Sequence, residues 1–71
     1  MTTYYEVAFP PVVLKSPATG KFSHRESTAG RRKDVYRYED KSLAEDLVRD
    51  LRTNYYKAVP DQVELREIDE G

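Results

Sequence analysis

Three segments of the chain alternate between apolar and polar side chains with the period of a half-buried β-strand. In residues 4–9, the large apolar side chains at every second position (5, 7 and 9) lie on one side of the predicted strand. In residues 34–39, Tyr36 and Tyr38 lie on the same side. Residues 62–68 alternate in the same way. We therefore expect three strands at these positions, and the tyrosine pair predicts that residues 34–39 form a central or near-central strand.

A different repeat, with an apolar side chain at every fourth position, predicts one amphipathic helix. Ser42 is followed three residues later by Glu45, which matches the capping box at the start of a helix. Pro60 prevents the helix from continuing, so we expect it to end at about Lys57. The predicted buried stripe is Leu43, Leu47, Leu51 and Tyr55, with Ala44 and Val48 beside it.

The region between the first two predicted strands contains turn and loop residues. The prolines at 10–11 interrupt the first strand, after which residues 12–15 resume an extended pattern. Residues 16–20 contain Pro and Gly in the arrangement of a turn, which predicts a hairpin that returns through residues 21–23. Residues 24–33 are almost entirely polar, so we expect a mobile basic loop there.

These elements predict one small α+β domain that covers residues 1–71. We expect a mostly antiparallel sheet of three to four strands with one amphipathic helix packed on one face, in the order β-β-β-α-β. Such a short chain buries about 60% of its unfolded surface, so its core must be small. The predicted core is Val7, Phe9, Leu14, Tyr36, Tyr38, Leu43, Leu47, Val48, Leu51, Val63 and Leu65.

The composition argues against several classes of chemistry. The 71 residues include no cysteine and one histidine, His24, which is too few ligands for a zinc site. A hydrolytic triad needs partners from separate elements, and His24 lies between Ser23 and Arg25 in the predicted loop. The sequence contains neither a GxxxxGK[ST] nor a GxGxxG motif. We therefore expect no cofactor, no metal and no enzymatic activity.

The longest apolar run, residues 7–14, is eight residues long and is interrupted by Pro10 and Pro11. A membrane-spanning helix needs about 20 apolar residues, and a secretory signal begins with basic residues that are absent here. We therefore expect a cytoplasmic protein that does not associate with a membrane.

The net charge of the chain is only −1, but the charge is unevenly distributed. Residues 15–37 hold seven Lys or Arg and two acidic residues, whereas residues 38–71 hold ten acidic residues and five basic ones. The distribution fits either a surface that is charged for solubility or a basic docking segment carried on an acidic body.

The leading functional hypothesis is a small protein-binding module that modulates or inhibits a larger protein by occluding part of its surface. By analogy of size and composition alone, such products are typical of bacteriophages and mobile elements. The predicted partner-binding residues are Lys21, Arg25, Arg31, Arg32, Lys33, Arg37, Tyr36 and Tyr38. A second-choice surface is the acidic helix face of Glu45, Asp46, Arg49 and Asp50.

The alternative is a nucleic-acid-binding accessory protein. In that case the basic residues of the segment 31–38 would contact phosphates, and Tyr36 or Tyr38 would stack on bases. The two hypotheses differ in the position of the tyrosine rings. Rings buried under the helix favour protein binding, whereas rings exposed beside arginines favour nucleic acid.

Overall fold

The computed structural model describes residues 2–11 and 20–70 of the chain. Its main elements, in chain order, are β1 (Thr2–Phe9), β2 (Lys21–Thr28), β3 (Arg31–Tyr38), α1 (Lys41–Asp50) and β4 (Glu64–Glu70). Helix α1 runs directly into a π-helical turn, Leu51–Tyr55, and a 3-10 turn, Pro60–Gln62, precedes β4. The predicted α+β class and the order β-β-β-α-β are confirmed.

The four strands form one antiparallel sheet in the spatial order β2-β3-β1-β4. Strand β1 lies between β3 and β4, and its last four residues are all buried. Strand β3 is the other inner strand, so the predicted central position of residues 34–39 is confirmed. The predicted extended segment at 12–15 and most of the turn at 16–20 lie outside the described residues.

Helix α1 packs on one face of the sheet, where apolar side chains from β1, β3 and the helix meet. The buried cluster consists of Val7, Phe9, Tyr38, Ala44, Val48, Leu51 and Val63. Tyr36 and Leu47 are partly buried and pack against this cluster. Six of the predicted core residues are therefore in the buried cluster, and two more lie at its border.

The predicted helix stripe is partly wrong. Leu43 is 44% exposed, and Leu65 on β4 is 38% exposed. Leu51 of the predicted stripe is buried, as are Ala44 and Val48 beside it, whereas Tyr55 is 36% exposed. The buried positions follow the spacing of one helix face more closely than a strict repeat of four. A period of four drifts around a helix of 3.6 residues per turn, which moves Leu43 toward solvent. The predicted core residue Leu14 lies outside the described residues.

The helix is capped by Asp40 and begins at Lys41, so the predicted capping box at Ser42 is wrong. The Asp40 carboxylate accepts hydrogen bonds from the backbone N–H and the hydroxyl of Ser42, both at 2.9 Å. The bonds from Ser42 hold the pKa of Asp40 below its ordinary value. Glu45 lies 3.9 Å from the Lys41 ammonium instead of folding back on the cap. The helical residues end at Tyr55, close to the predicted end.

The segment 24–33 is not a loop. Residues 24–28 belong to β2 and residues 31–33 belong to β3, and only Ala29 and Gly30 form the turn between them. The prediction failed because these residues are polar on both sides, so they show no apolar alternation. Ion pairs and pairing with β3 stabilise the strand instead.

Candidate functional site

The eight residues predicted to contact a partner lie on two opposite faces of the sheet. Because side chains alternate along a strand, the pairing register assigns each residue to a face. The face away from α1, here called the open face, carries Lys21, Arg31, Lys33 and Arg37. The helix side carries Arg25, Arg32, Tyr36 and Tyr38. The structure therefore does not bring the predicted set together in one patch.

Tyr36 and Tyr38 are part of the hydrophobic packing. Tyr38 is only 4% exposed, and the Cα of Gly20 approaches its ring so closely that an added Cβ would lie 2.5 Å from Cζ. The Tyr36 ring stacks on Phe9, with centroids 5.5 Å apart, and meets the edge of Phe22 at 5.6 Å. Both tyrosine rings are therefore engaged within the protein.

The β2–β3 hairpin extends beyond the rest of the sheet. Strand β1 pairs with β3 as far as the Phe9–Asp34 pair, and among residues 2–11 and 20–70 the strand pairing of residues 31–33 is with residues 26–28 alone. At 3.4 Å per residue, this part of the hairpin projects about 10 Å past β1. We call residues 28–32 the hairpin tip. All five of its residues are exposed.

A tight turn with positive φ at both central residues closes the tip. Ala29 has φ 51° and Gly30 has φ 79°. Such a turn matches the twist of a two-stranded ribbon, but it favours Gly or Asn where the chain has Ala29. The turn sets Thr28 opposite Arg31 and Ser27 opposite Arg32. The two arginines therefore lie on opposite faces at the end of the ribbon.

The two tip arginines differ from Lys33 in their contacts. Neither Arg31 nor Arg32 forms an ion pair or a side-chain hydrogen bond with another residue in the ranges 2–11 and 20–70. Lys33, by contrast, lies 3.0 Å from Glu64 of β4. An open groove borders the tip, with Pro10, Pro11, Asp61, Gln62 and Glu64 among the residues that line it.

An ion-pair network crosses the open face and joins β2 to β4. The Arg66 guanidinium donates to both Glu26 oxygens at 2.7 and 2.9 Å, and to Glu64 at 2.9 Å. Strands β1 and β3 lie between β4 and β2, and their fully buried Ala8 and Val35 belong to the same face. Small side chains at these positions leave room for the bridge above them.

Hydrogen bonds from Arg66, and then from His24, lower the pKa of Glu26 to about 2. The Glu64 pKa is lowered by Arg66 and Lys33. Both carboxylates therefore remain ionised at neutral pH, and their charges are offset within the network. Lys33 is engaged in this network, which distinguishes it from the two tip arginines.

Arg37 is also engaged in a contact within the protein. Its Cζ lies 3.9 Å from the centroid of the Tyr4 ring, and its guanidinium lies 3.6 Å from the Glu6 carboxylate. Glu6 is only 6% exposed, so Arg37 offsets a buried charge.

Burial, followed by the hydrogen bond from the Tyr4 hydroxyl to Glu70, raises the pKa of Tyr4.

His24 contacts a hydroxyl and a carboxylate, as the histidine of a hydrolytic triad does, but it lies on an exposed surface. Its Nδ1 lies 3.0 Å from the Ser23 hydroxyl, and its Nε2 lies 3.2 Å from Glu26. Ser23 and His24 are neighbours on an edge strand, the His24 side chain is 47% exposed, and Glu26 is held by Arg66. A nucleophile activated by a base needs an enclosed, oriented substrate site. The described residues build no such site around Ser23.

The acidic helix face is exposed and partly neutralised. Lys41 pairs with Glu45, and Arg49 contacts Asp46. Asn54 donates a hydrogen bond to Asp50. The second-choice surface therefore keeps less uncompensated charge than the number of its carboxylates indicates.

Two features of this surface were not predicted from the sequence. The Arg66–Glu26 bridge joins residues 40 positions apart, and only the sheet order brings them together. Phe22 is 52% exposed at the base of the hairpin. If residues 24–28 had been assigned to a strand, the pairing with β3 would have placed Phe22 next to Tyr36. The polar composition of residues 24–28 hid this strand.

Within the part of the chain that the structure describes, no group of three His, Cys, Asp or Glu side chains is arranged to hold a metal ion. Over the same residues, no helix has both the length and the apolar character needed to cross a membrane. Comparisons with protein-family models, curated proteins and solved structures give no match.

Proposed function

We propose that this protein is a non-enzymatic binding module that docks its hairpin tip on an acidic surface of a larger protein. The observation that carries the proposal is the pair Arg31 and Arg32. Both are exposed at the end of a projecting ribbon, and neither is paired with another described residue. Exposed charges of this kind contribute little to stability but steer association with an oppositely charged surface.

The position of the tyrosines favours a protein partner over nucleic acid. Base stacking requires an exposed aromatic ring, whereas Tyr38 is buried and Tyr36 packs between Phe9 and Phe22. The net charge of −1 is also unlike that of most nucleic-acid-binding domains. Docking would modulate or inhibit the partner by covering part of its surface.

The test is affinity capture from the native cell with nuclease present. The bait carries Arg31→Glu and Arg32→Glu together, and Lys33 is left unchanged because it pairs with Glu64. The matched control carries Lys41→Glu and Lys57→Glu, which change the net charge equally at exposed positions outside the tip. We expect the tip variant to capture its partner about tenfold less well and the control to capture it like the unmodified protein.

Other results would overturn the proposal. Equal capture by the tip variant would remove the tip as the docking site. If Asp46→Lys with Asp50→Lys then abolished capture, the acidic helix face would replace it. If nuclease released the bound material, and a labelled single-stranded oligonucleotide bound with an affinity that fell steeply with salt, the nucleic-acid hypothesis would replace the protein one.

A further inference from the structure

The sheet formed by residues 2–11 and 20–70 ends on each side in a strand with only one partner. Strand β4 pairs only with β1, and β2 pairs only with β3. Along such an edge, alternate backbone N–H and C=O groups point away from the sheet and can bond a further strand. Among residues 2–11 and 20–70, the sheet therefore has two edges without a second strand partner.

The directions of the two edges allow the sheet to continue into a second copy. All three neighbouring pairs are antiparallel, so β2 and β4 run in opposite directions. When a second copy lies beside the first in the same orientation, its β2 is antiparallel to the β4 of the first. The contact repeats the kind of pairing that already joins β3 to β2.

The register of β3 on β2 shows how β4 would fit the same strand. Strand β3 pairs along all of β2, with one bulge between Phe22 and His24. On the opposite edge of β2 we give β4 the same register, with the last residue of β4 opposite the first residue of β2. Three pairs of opposite charge then lie opposite one another, and the two members of each pair lie on the same face. The pairs are Glu70 with Lys21, Glu67 with Arg25, and Arg66 with Glu26 of the second copy. Arg25, Arg66 and Glu26 already have partners within their own molecule, so the pair that includes Lys21 is the one with a basic residue not yet engaged with another described residue.

Pairing of β4 with β4 of a second copy is disfavoured by charge. An antiparallel contact centred on Glu67 sets this residue opposite its own copy and sets Glu64 opposite Glu70. Like charges directly opposite one another destabilise a strand pair. In this register, charge repulsion therefore disfavours contact between two β4 edges.

We propose that the β4 edge of one molecule pairs in register with the β2 edge of a second molecule, so that the sheet continues from copy to copy. Two of the charged residues in this contact, Lys21 and Glu67, form no ion pair with another residue that the structure describes. Contact between unlike edges does not close after two copies. The expected product is an open-ended or ring-shaped assembly that weakens as salt is added.

The test is sedimentation velocity at low salt, with the protein at concentrations up to about 1 mM, where weak association becomes visible. Reversing one pair gives the variants Lys21→Glu and Glu70→Lys. Each replaces an attractive contact by a repulsive one and should lower the association constant about tenfold. Exposed positions outside both edges provide the charge-matched controls, Lys57→Glu and Asp46→Lys, which should associate like the unmodified protein.

The decisive experiment mixes the two variants Lys21→Glu and Glu70→Lys. Each single variant alone has like charges at every contact. In an equimolar mixture, every contact between one variant and the other pairs opposite charges, so the mixture should regain association. Thermal melts of each variant check that it is folded. A protein that stays monomeric over the whole concentration range would overturn the proposal. A mixture that does not associate, or controls that lose association as well, would also overturn it.

Discussion

The base and the tip of the β2–β3 hairpin differ in what their residues contact. At the base, Tyr38 is buried in the core, and Tyr36 packs between Phe9 and Phe22. At the tip, residues 28–32 are all exposed, and Arg31 and Arg32 have no side-chain partner within the ranges 2–11 and 20–70. One hairpin therefore combines a base that is packed in the core with a tip whose arginines have no side-chain partner among the described residues.

The largest difference should come from truncating one side chain in each half. Tyr38→Ala removes a buried ring at the base and should lower the free energy of unfolding by about 3 to 5 kcal/mol. Arg32→Ala at the tip should change it by less than about 0.5 kcal/mol. Chemical denaturation of both variants measures these values. Equal losses would show that the two halves do not differ in their contribution to folding.

Gly20→Ala tests the packing around Tyr38 from the other side. An added Cβ would lie 2.5 Å from the ring and 2.8 Å from the Arg37 carbonyl oxygen, so ring or backbone must move. We expect a loss of about 1 to 3 kcal/mol in the free energy of unfolding. Gly30→Ala is the control for backbone strain without steric crowding, because no atom lies within 4 Å of the added Cβ. An unaffected Gly20→Ala variant would contradict the packing at the base.

A smaller effect should come from the network that ties the middle of the hairpin to β4. Arg66→Gln removes the cation that bonds Glu26 and Glu64. Because these side chains are partly exposed, we expect a loss of only about 1 to 2 kcal/mol. Arg49→Gln, which removes a more exposed partner of Asp46, should be close to neutral. The same denaturation curves distinguish the two variants.

The same network predicts a dependence of stability on pH. The Glu26 pKa is lowered from 4.5 to about 2 in the folded protein, so the folded form binds this proton less tightly than the unfolded chain. The resulting stabilisation is present above pH 4.5 and is lost as the pH falls toward about 2. The difference between the unmodified protein and Arg66→Gln should therefore shrink over this range in melts at stepped pH. A difference that stays constant would rule out the Glu26 contribution.

The smallest effect should be a gain in stability at the tip. Ala29 has φ 51°, a conformation that is strained for a residue with a Cβ. Ala29→Gly relieves the strain at some cost in chain entropy, so we expect a gain of about 0.5 to 1 kcal/mol. Gly30→Ala, at φ 79°, should have the opposite sign. A loss of stability in Ala29→Gly would contradict the turn geometry.

The fold could be predicted from the sequence wherever one side of an element is apolar. Residues 4–9 and 34–39 show a period of two, and α1 shows a period near four. The helix start was misplaced because Asp40 and Ser42 are both good caps, and local sequence does not decide between them. Residues 21–23 of β2 were predicted as the returning strand of a hairpin, but residues 24–28 were assigned to a loop because their stabilising contacts are ion pairs with β3 and β4.

The candidate site could be predicted less well than the fold. The sequence identifies the basic residues, but it does not reveal which of them are already paired. Lys33 and Arg37 are engaged with Glu64 and Glu6, and these contacts depend on the sheet order. Only the projecting position of Arg31 and Arg32 separates them from the rest, and this position depends on where β1 ends.

Amide hydrogen exchange of the hairpin, free and bound to the captured partner, tests the division between base and tip most directly. In the free protein, residues 28–32 should exchange fast, because they lie at the end of a two-stranded ribbon, and the base around Tyr36 and Tyr38 should exchange slowly. Binding should slow exchange at the tip and leave the base and α1 unchanged. Protection that appeared on α1 while the tip stayed fast would contradict the account.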